Sequence, residues 1–351
     1  MAVPLRTPVS EALAARRPLG RTGQNVCPVA LGTMQFGWTA SDVDAMRILD
    51  AYVAAGGNLL DTANMYGGDQ SVESFEFNKA HVGVSEDILG RWLAGRGCRD
   101  DVVVTTKVRA RMWDGPDGEG LNRAHIMRAV EASLRRLRTD HIDVLYAHWP
   151  DPAAQAEEWL TAFADLVGAG KVAAVGTSNF CGFAGYGDLL SPLLELADRA
   201  GLPRIQVEQP RYNLMNRHEY EETLQGIALR EDLGIVTYSS LAGGFLSGAV
   251  DPGKPPTGAR ARHLSQYCTP EGSALLERLR HIAAAHHVPV ASVSLAWTLA
   301  QPGVTAALIG ASTVDDVAQA SFAPKVRLTD EESAALSALS WRASPPEFVD
   351  W

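Results

Sequence analysis

The feature that most constrains this chain is an alternation. Short β-branched runs stand at 26–31, 58–62, 102–107, 142–148, 171–177, 204–209, 235–239 and 306–309, with longer stretches of helical spacing between them. Repeated strand–helix units predict a parallel sheet with right-handed crossovers. The run VVVTTK, ending at Lys107, has almost no polar alternation, as expected of a strand buried on both faces. Between the runs, a helix at 42–55 starts after the cap residue Ser41 and stops at Gly56 and Gly57. A second helix at 84–94 takes Ser85 as its cap. A third, at 122–137, puts Ile126, Val130, Leu134 and Leu137 on one face. The stretch 180–200 reads as a long or broken helix. Further helices are expected at 152–169, 219–232, 271–286, 290–300, 314–320 and 330–339.

Eight units in a row predict an α/β fold of the (β/α)8 TIM-barrel type, with a short N-terminal hairpin and C-terminal helices. An open doubly wound sheet is the alternative, but its GxGxxG fingerprint after the first strand is absent; the text there is LGTMQFG. Residues 1–17 read as an N-terminal extension and 18–351 as one barrel domain. The formal net charge of −10 argues against a nucleic-acid partner and against an anionic membrane surface. No apolar run is long enough to span a bilayer, and the first twenty residues lack the apolar core of a secretory signal. Cys27, Cys98, Cys181 and Cys268 form no CxxC pair and read as reduced thiols, which points to a cytoplasmic setting. No residues stand at metal-ligand spacing.

Barrel enzymes carry their chemistry at the C-terminal ends of the strands. Here three consecutive strands end in titratable groups: LLDTANMY supplies Asp61 and then Tyr66, TTK supplies Lys107 and LYAH supplies His148. Each has a plain structural alternative: a turn cap for Asp61, a solvated strand end for Lys107, a satisfied core group for His148, a surface aromatic for Tyr66. Four such alternatives would have to hold together. The residue types suit hydride addition to a carbonyl, which builds negative charge on oxygen. Tyr66 would give that oxygen a proton, and Lys107 would lower the phenol's pKa. Asp61 would hold Lys107 charged, and His148 would donate a second hydrogen bond to the carbonyl.

From about Pro18 to about Ala338 the chain resembles the aldo-keto reductase superfamily. The resemblance is carried by PLGRTGQNV, LGTMQFG, LLDTANMYG, VVVTTKV, SLRRLRTDHIDVLYAHWPD, VGTSNF, EQPRYNLMNR, TYSSLAGGFLSG and ALIGAST. It implies the four roles just given, with Tyr66 as general acid, and a nicotinamide dinucleotide lying across the barrel mouth. It implies that Ser178, Asn179 and Gln209 hold the nicotinamide amide, that Tyr238 stacks on the ring, and that Ser239, Leu241 and Gly243 meet the pyrophosphate. Further cofactor contacts are implied at Thr33, Met34, Asp61, Arg260, Gly310, Ser312 and Asp316. Trp38, Tyr66, His148 and Trp149 are the substrate-binding candidates, with Trp113 and Met215 as further lining.

The chain departs from the family pattern at the adenosine end. Ala249 stands where a Lys is common, and Asp316, Gln319 and Ala320 stand where Gln or Arg, Glu and Asn are usual. NADP(H) is the family expectation. An acid near a 2′-phosphate makes NAD(H) the alternative, with Arg260 available to pair with a phosphate. The loop at 67–83 is longer than usual and brings Phe75, Phe77 and His81 near Tyr66. The expected activity is reduction of an aldehyde, ketone or keto-sugar, with a small-molecule carbonyl compound as partner. The alternatives are a sugar or alcohol dehydrogenase, a slow redox-sensing subunit like the channel-associated relatives of this family, and a Schiff-base aldolase built on Lys107.

Overall fold

The computed structural model describes residues 12–68, 81–182, 187–251, 254–258 and 260–340. A two-stranded hairpin, β1 (Arg17–Pro18) and β2 (Asn25–Val26), precedes a closed parallel barrel. The barrel strands are β3 (Val29–Gly32), β4 (Leu59–Asp61), β5 (Val103–Val108), β6 (Ile142–Ala147), β7 (Val172–Ser178), β8 (Val207–Gln209), β9 (Gly234–Thr237) and β10 (Val304–Gly310). Each pairs with its successor, and β10 closes on β3.

The strand expected at 26–31 is split in two. Pro28 has no N–H to give to a ladder, and the Cys27 N–H goes instead to Asn58 Oδ1 at 2.8 Å. The strand expected at 204–209 is shorter, because Arg204 turns outward to ion pairs with Asp198 and Glu231.

Helices α1 (Asp42–Ala54), α2 (Val84–Arg96), α3 (Arg123–Leu137), α4 (Ala156–Gly168) and α5 (Leu190–Ala200) follow their strands. A wide π turn at Glu219–Leu224 then leads into α6 (Gln225–Glu231). The remaining helices are α7 (Ala261–Ser265), α8 (Pro270–His286), α9 (Val290–Leu299), α10 (Val314–Ala320) and α11 (Asp330–Leu339). Ser41 caps α1 and Asn122 caps α3, each by accepting a backbone N–H three residues on. Ser85 does not cap α2. It lies inside the first turn, fully buried, and its hydroxyl bonds to Thr33 at the end of β3, while Gly83 takes the cap position.

Two apolar cores result. Inside the barrel lie Ala30, Leu59, Val103, Val144, Tyr146, Ala174, Val207, Val236, Ala306 and Leu308. Leu19 and Val26 of the hairpin join them and plug the bottom. Gly20 at the hairpin tip has φ +51, and a Cβ there would meet Gly234 N at 2.4 Å, so the plug depends on a glycine. The larger core lies between the strands and the helix ring. Before the hairpin, Leu13 is already buried and its N–H bonds to Ala55 O at 2.8 Å. With its base filled and its interior packed, the barrel leaves its C-terminal mouth for function. Among the described residues no single helix is long and apolar enough to cross a membrane.

Two glycines of α2 give opposite predictions. A Cβ on Gly90 would meet Arg136 O at 2.0 Å, so this glycine lets α2 and α3 touch; one on Gly95 meets nothing within 4 Å. Gly95→Ala should raise stability by about 0.5–1 kcal/mol through helix propensity. Gly90→Ala should lower it by about 1–3 kcal/mol through overpacking. Denaturant midpoints of the two variants check the pair, and a shift of the same sign in both would contradict the packing described.

Candidate active site

Adjacent parallel strands in register bring the expected groups together. Asp61 ends β4 and pairs across to Thr105 of β5; Lys107 of β5 pairs across to Tyr146 of β6; His148 follows the end of β6. The Lys107 ammonium, fully buried, donates to Asp61 Oδ1 and, at 2.8 Å, to Thr62 O. Asp61 Oδ2 accepts from Thr105 Oγ1 at 2.7 Å and from Gln209 Nε2 at 2.9 Å. The buried carboxylate is thus held by three side chains.

Tyr66 lies over this pair, with Lys107 Nζ 5.0 Å from its ring centroid. The His148 ring meets Tyr66 edge to face at 5.9 Å. Burial pulls the Lys107 pKa down, but Asp61 and Tyr66 outweigh it and leave it above the ordinary lysine value. The same balance was expected to lower the Tyr66 phenol. Lys107 does pull it down, yet burial is larger and Asp61 adds to it, so the phenol ends above its usual value. Tyr66 therefore keeps its proton at neutral pH. Burial first, then Lys107 and Arg109, push His148 well below the ordinary imidazole range. His148 is neutral, and its buried Nδ1 has no hydrogen-bond partner among the described residues.

A second group of candidates forms a connected chain at the ends of β7, β8 and β9. Ser178 Oγ donates to Gln209 O at 2.7 Å, and Asn179 Nδ2 donates to Ser178 Oγ and to His148 O, both at 3.1 Å. Tyr238 OH donates to Asn179 Oδ1 at 2.9 Å. Asn179 is held at φ +66, a conformation uncommon for a non-glycine residue. Thr33 is tied to Asp61 O through its N–H and its hydroxyl, with Met34 half-buried beyond it. After β9, Ser239, Ala242, Gly243 and Gly244 all have positive φ, from +49 to +108, with half-buried Leu241 among them. A Cβ on Gly244 would meet nothing within 4 Å, so the backbone faces open space there, whereas one on Gly243 would meet the His263 ring at 2.5 Å. Gly310 ends β10 exposed, and Ser312 Oγ bonds to Thr39 Oγ1 at 2.7 Å.

The residues present fit a dinucleotide on one further observation. The Arg260 guanidinium is depressed by burial and bonds to Gly243 O at 3.2 Å, but among the described residues it has no carboxylate ion pair. A half-buried cation with Asp316 near it but no carboxylate in contact suits a phosphate. Asp316 stands at the start of α10. Its Oδ2 accepts from Ser312 N, Thr313 N and Thr313 Oγ1, so the carboxylate closes a capping box on α10. Trp38 lies under Arg260, 5.4 Å from its guanidinium, whereas Trp149 packs on His148 at 4.6 Å. Trp113, in the loop after β5, packs on His125 of α3, and Met215 is buried. Phe75 and Phe77 lie outside the described residues; His81 is exposed beside Gly68.

Sequence reasoning missed Glu208. This buried acid accepts from Thr177 Oγ1 and from Phe180 N at 3.1 Å, and so fixes the turn that carries Asn179. The signal was an acid inside an apolar strand, one residue before Gln209. Burial, partly offset by these donors, raises its pKa to about 7. A raised carboxyl pKa means that the folded state binds the proton more tightly than the unfolded chain. Its stabilisation is complete below the unfolded value and is lost as pH rises toward about 7. Relative to Glu208→Gln, the wild type should lose about 1 kcal/mol of stability per pH unit between about pH 5 and about pH 7. Urea titrations at several pH values check this, and parallel curves would contradict it.

The sequence profile described as Aldo/keto reductase family matches residues 28–340. Protein tas of Escherichia coli (strain K12) is 31% identical over 338 residues, covering 90% of this chain and 94% of its own. An uncharacterized oxidoreductase YrpG of Bacillus subtilis (strain 168) is 34% identical over 319 residues, covering 89% and 92%. A probable voltage-gated potassium channel subunit beta of Oryza sativa subsp. japonica is 30% identical over 312 residues, covering 86% and 88%.

Proposed function

This chain belongs to the aldo/keto reductase family, and on that premise we propose that it reduces the carbonyl of an aldehyde, ketone or keto-sugar with Tyr66 as the proton donor. The observation that carries the reading is the buried Asp61–Lys107 pair lying beneath a protonated Tyr66, with neutral His148 at its edge. A reduced nicotinamide supplies the hydride when bound. Ser178, Asn179 and Gln209 would hold its amide, Tyr238 would face its ring, and the 239–244 turn with Arg260 would take its phosphates. Neutral His148 donates a hydrogen bond to the substrate oxygen and so orients the carbonyl. As the C=O π pair moves onto oxygen, Tyr66 passes its proton to that oxygen and becomes a phenolate. The Lys107 ammonium stabilises this phenolate, and Asp61 keeps the ammonium charged. A Schiff base on Lys107 would need the neutral amine, which the raised lysine pKa opposes.

A second reading, a slow redox-sensing subunit, is favoured by the likeness to the rice protein. One experiment separates the two. With reduced nicotinamide dinucleotide and a panel of aldehydes, ketones and reducing sugars, the wild type should turn over. Tyr66→Phe should lose about 100- to 10,000-fold in kcat while keeping nucleotide affinity within about threefold. Wild-type turnover no faster than that of Tyr66→Phe would contradict the reductase reading. NADPH is the expected cofactor, because Arg260 makes no carboxylate ion pair among the described residues and its guanidinium would pair with the 2′-phosphate. A kcat/KM for NADH equal to or above that for NADPH would contradict this assignment.

A further inference from the structure

Arg109 lies one residue beyond β5 and two beyond Lys107. Its φ of +139 lies in the region that favours glycine. A bulky residue is held there only when its surroundings impose it, and such positions concentrate at ligand sites. Here the loop imposes it: Gly120 N donates to Arg109 O at 2.7 Å, and Met112 N to Gly118 O at 2.8 Å closes the turn above. The result is a half-buried guanidinium whose Cζ stands 4.8 Å from the centre of the Trp149 ring. That ring is 4.6 Å from the His148 ring, which in turn is 5.9 Å from Tyr66. A cation on an aromatic platform therefore adjoins the two groups that would face a substrate carbonyl.

Lys107 on this side of the mouth is paired with Asp61, and Arg109 brings a second cation toward the neutral imidazole. Both cations help to hold His148 neutral. A planar guanidinium offers parallel donors to a carboxylate or a phosphate.

We propose that Arg109 on its Trp149 platform is a subsite for an anionic group of the substrate, so that the favoured carbonyl compounds carry a carboxylate or a phosphate. The assignment rests on the reductase reading, and its test keeps the two separable. The kcat/KM ratio of para-carboxybenzaldehyde over para-methylbenzaldehyde is measured in wild type, Arg109→Lys and Arg109→Met. The ratio of glyceraldehyde phosphate over glyceraldehyde is measured alongside, and thermal melts control for folding. Division by the Arg109→Met ratio cancels intrinsic reactivity.

The wild type should exceed Arg109→Met by about tenfold to a hundredfold in at least one pair, with Arg109→Lys between them. A gain in the first pair assigns the subsite to carboxylates, and a gain in the second to phosphates. Ratios that are the same in all three proteins would overturn the proposal while leaving the reductase reading intact. If no aldehyde is consumed, the reductase reading fails and calorimetry decides the subsite. Benzoate or inorganic phosphate should then bind the wild type at least about tenfold more tightly than Arg109→Met, and equal or absent binding in both overturns it.

Discussion

A lysine ammonium with no exposure to water is the constraint around which the mouth of this barrel is organised. Burying such a charge is tolerable only where partners replace its water. Lys107 has the Asp61 carboxylate and the Thr62 carbonyl, and Asp61 in turn has Thr105 and Gln209. An ion pair of this kind is weak support for stability in itself, since a well-packed apolar pair of similar volume often does as well. Its consequence is chemical. It keeps a positive charge beneath Tyr66, where it would stabilise a phenolate in the proposed proton transfer.

The same pair is joined to the residues proposed to hold a nicotinamide. Gln209 reaches Asp61 with its side chain and Ser178 with its carbonyl; Ser178 meets Asn179, and Asn179 meets both Tyr238 and the backbone of His148. Five strand ends thereby share one run of hydrogen bonds. Glu208 secures it from the other side of the sheet through the Asn179–Phe180 turn. In such a network a change at one strand end is felt at the others.

The barrel and the tetrad were legible in the sequence for physical reasons. A strand buried on both faces reads as an unbroken apolar run, and a charged residue at its end has to face the mouth or a partner. Asp61, Lys107 and His148 satisfy that rule, and the structure brings them together with Tyr66. The rest depended on contacts between distant segments. Ser85 looked like a cap because its position in the chain fits one, but Thr33 lies within its reach and claims the hydroxyl. The part Asp316 plays in the cap of α10 depends on its reach back to Ser312 and Thr313. The direction of the Tyr66 shift depended on how much burial outweighs Lys107, a balance that spacing does not reveal. Glu208 and Arg109 were passed over, the one as strand interior and the other as loop. Their roles come from a turn at 179–180 and from an aromatic ring on the next strand end.

The most direct test of this account is the pH profile of kcat/KM for carbonyl reduction in the wild type and in Asp61→Asn. Without the carboxylate, burial should dominate at Lys107 and its pKa should fall. The alkaline limb of the profile should then move down by about one unit or more. A folded Asp61→Asn protein whose alkaline limb coincides with that of the wild type would contradict the claim that Asp61 keeps Lys107 charged beneath Tyr66.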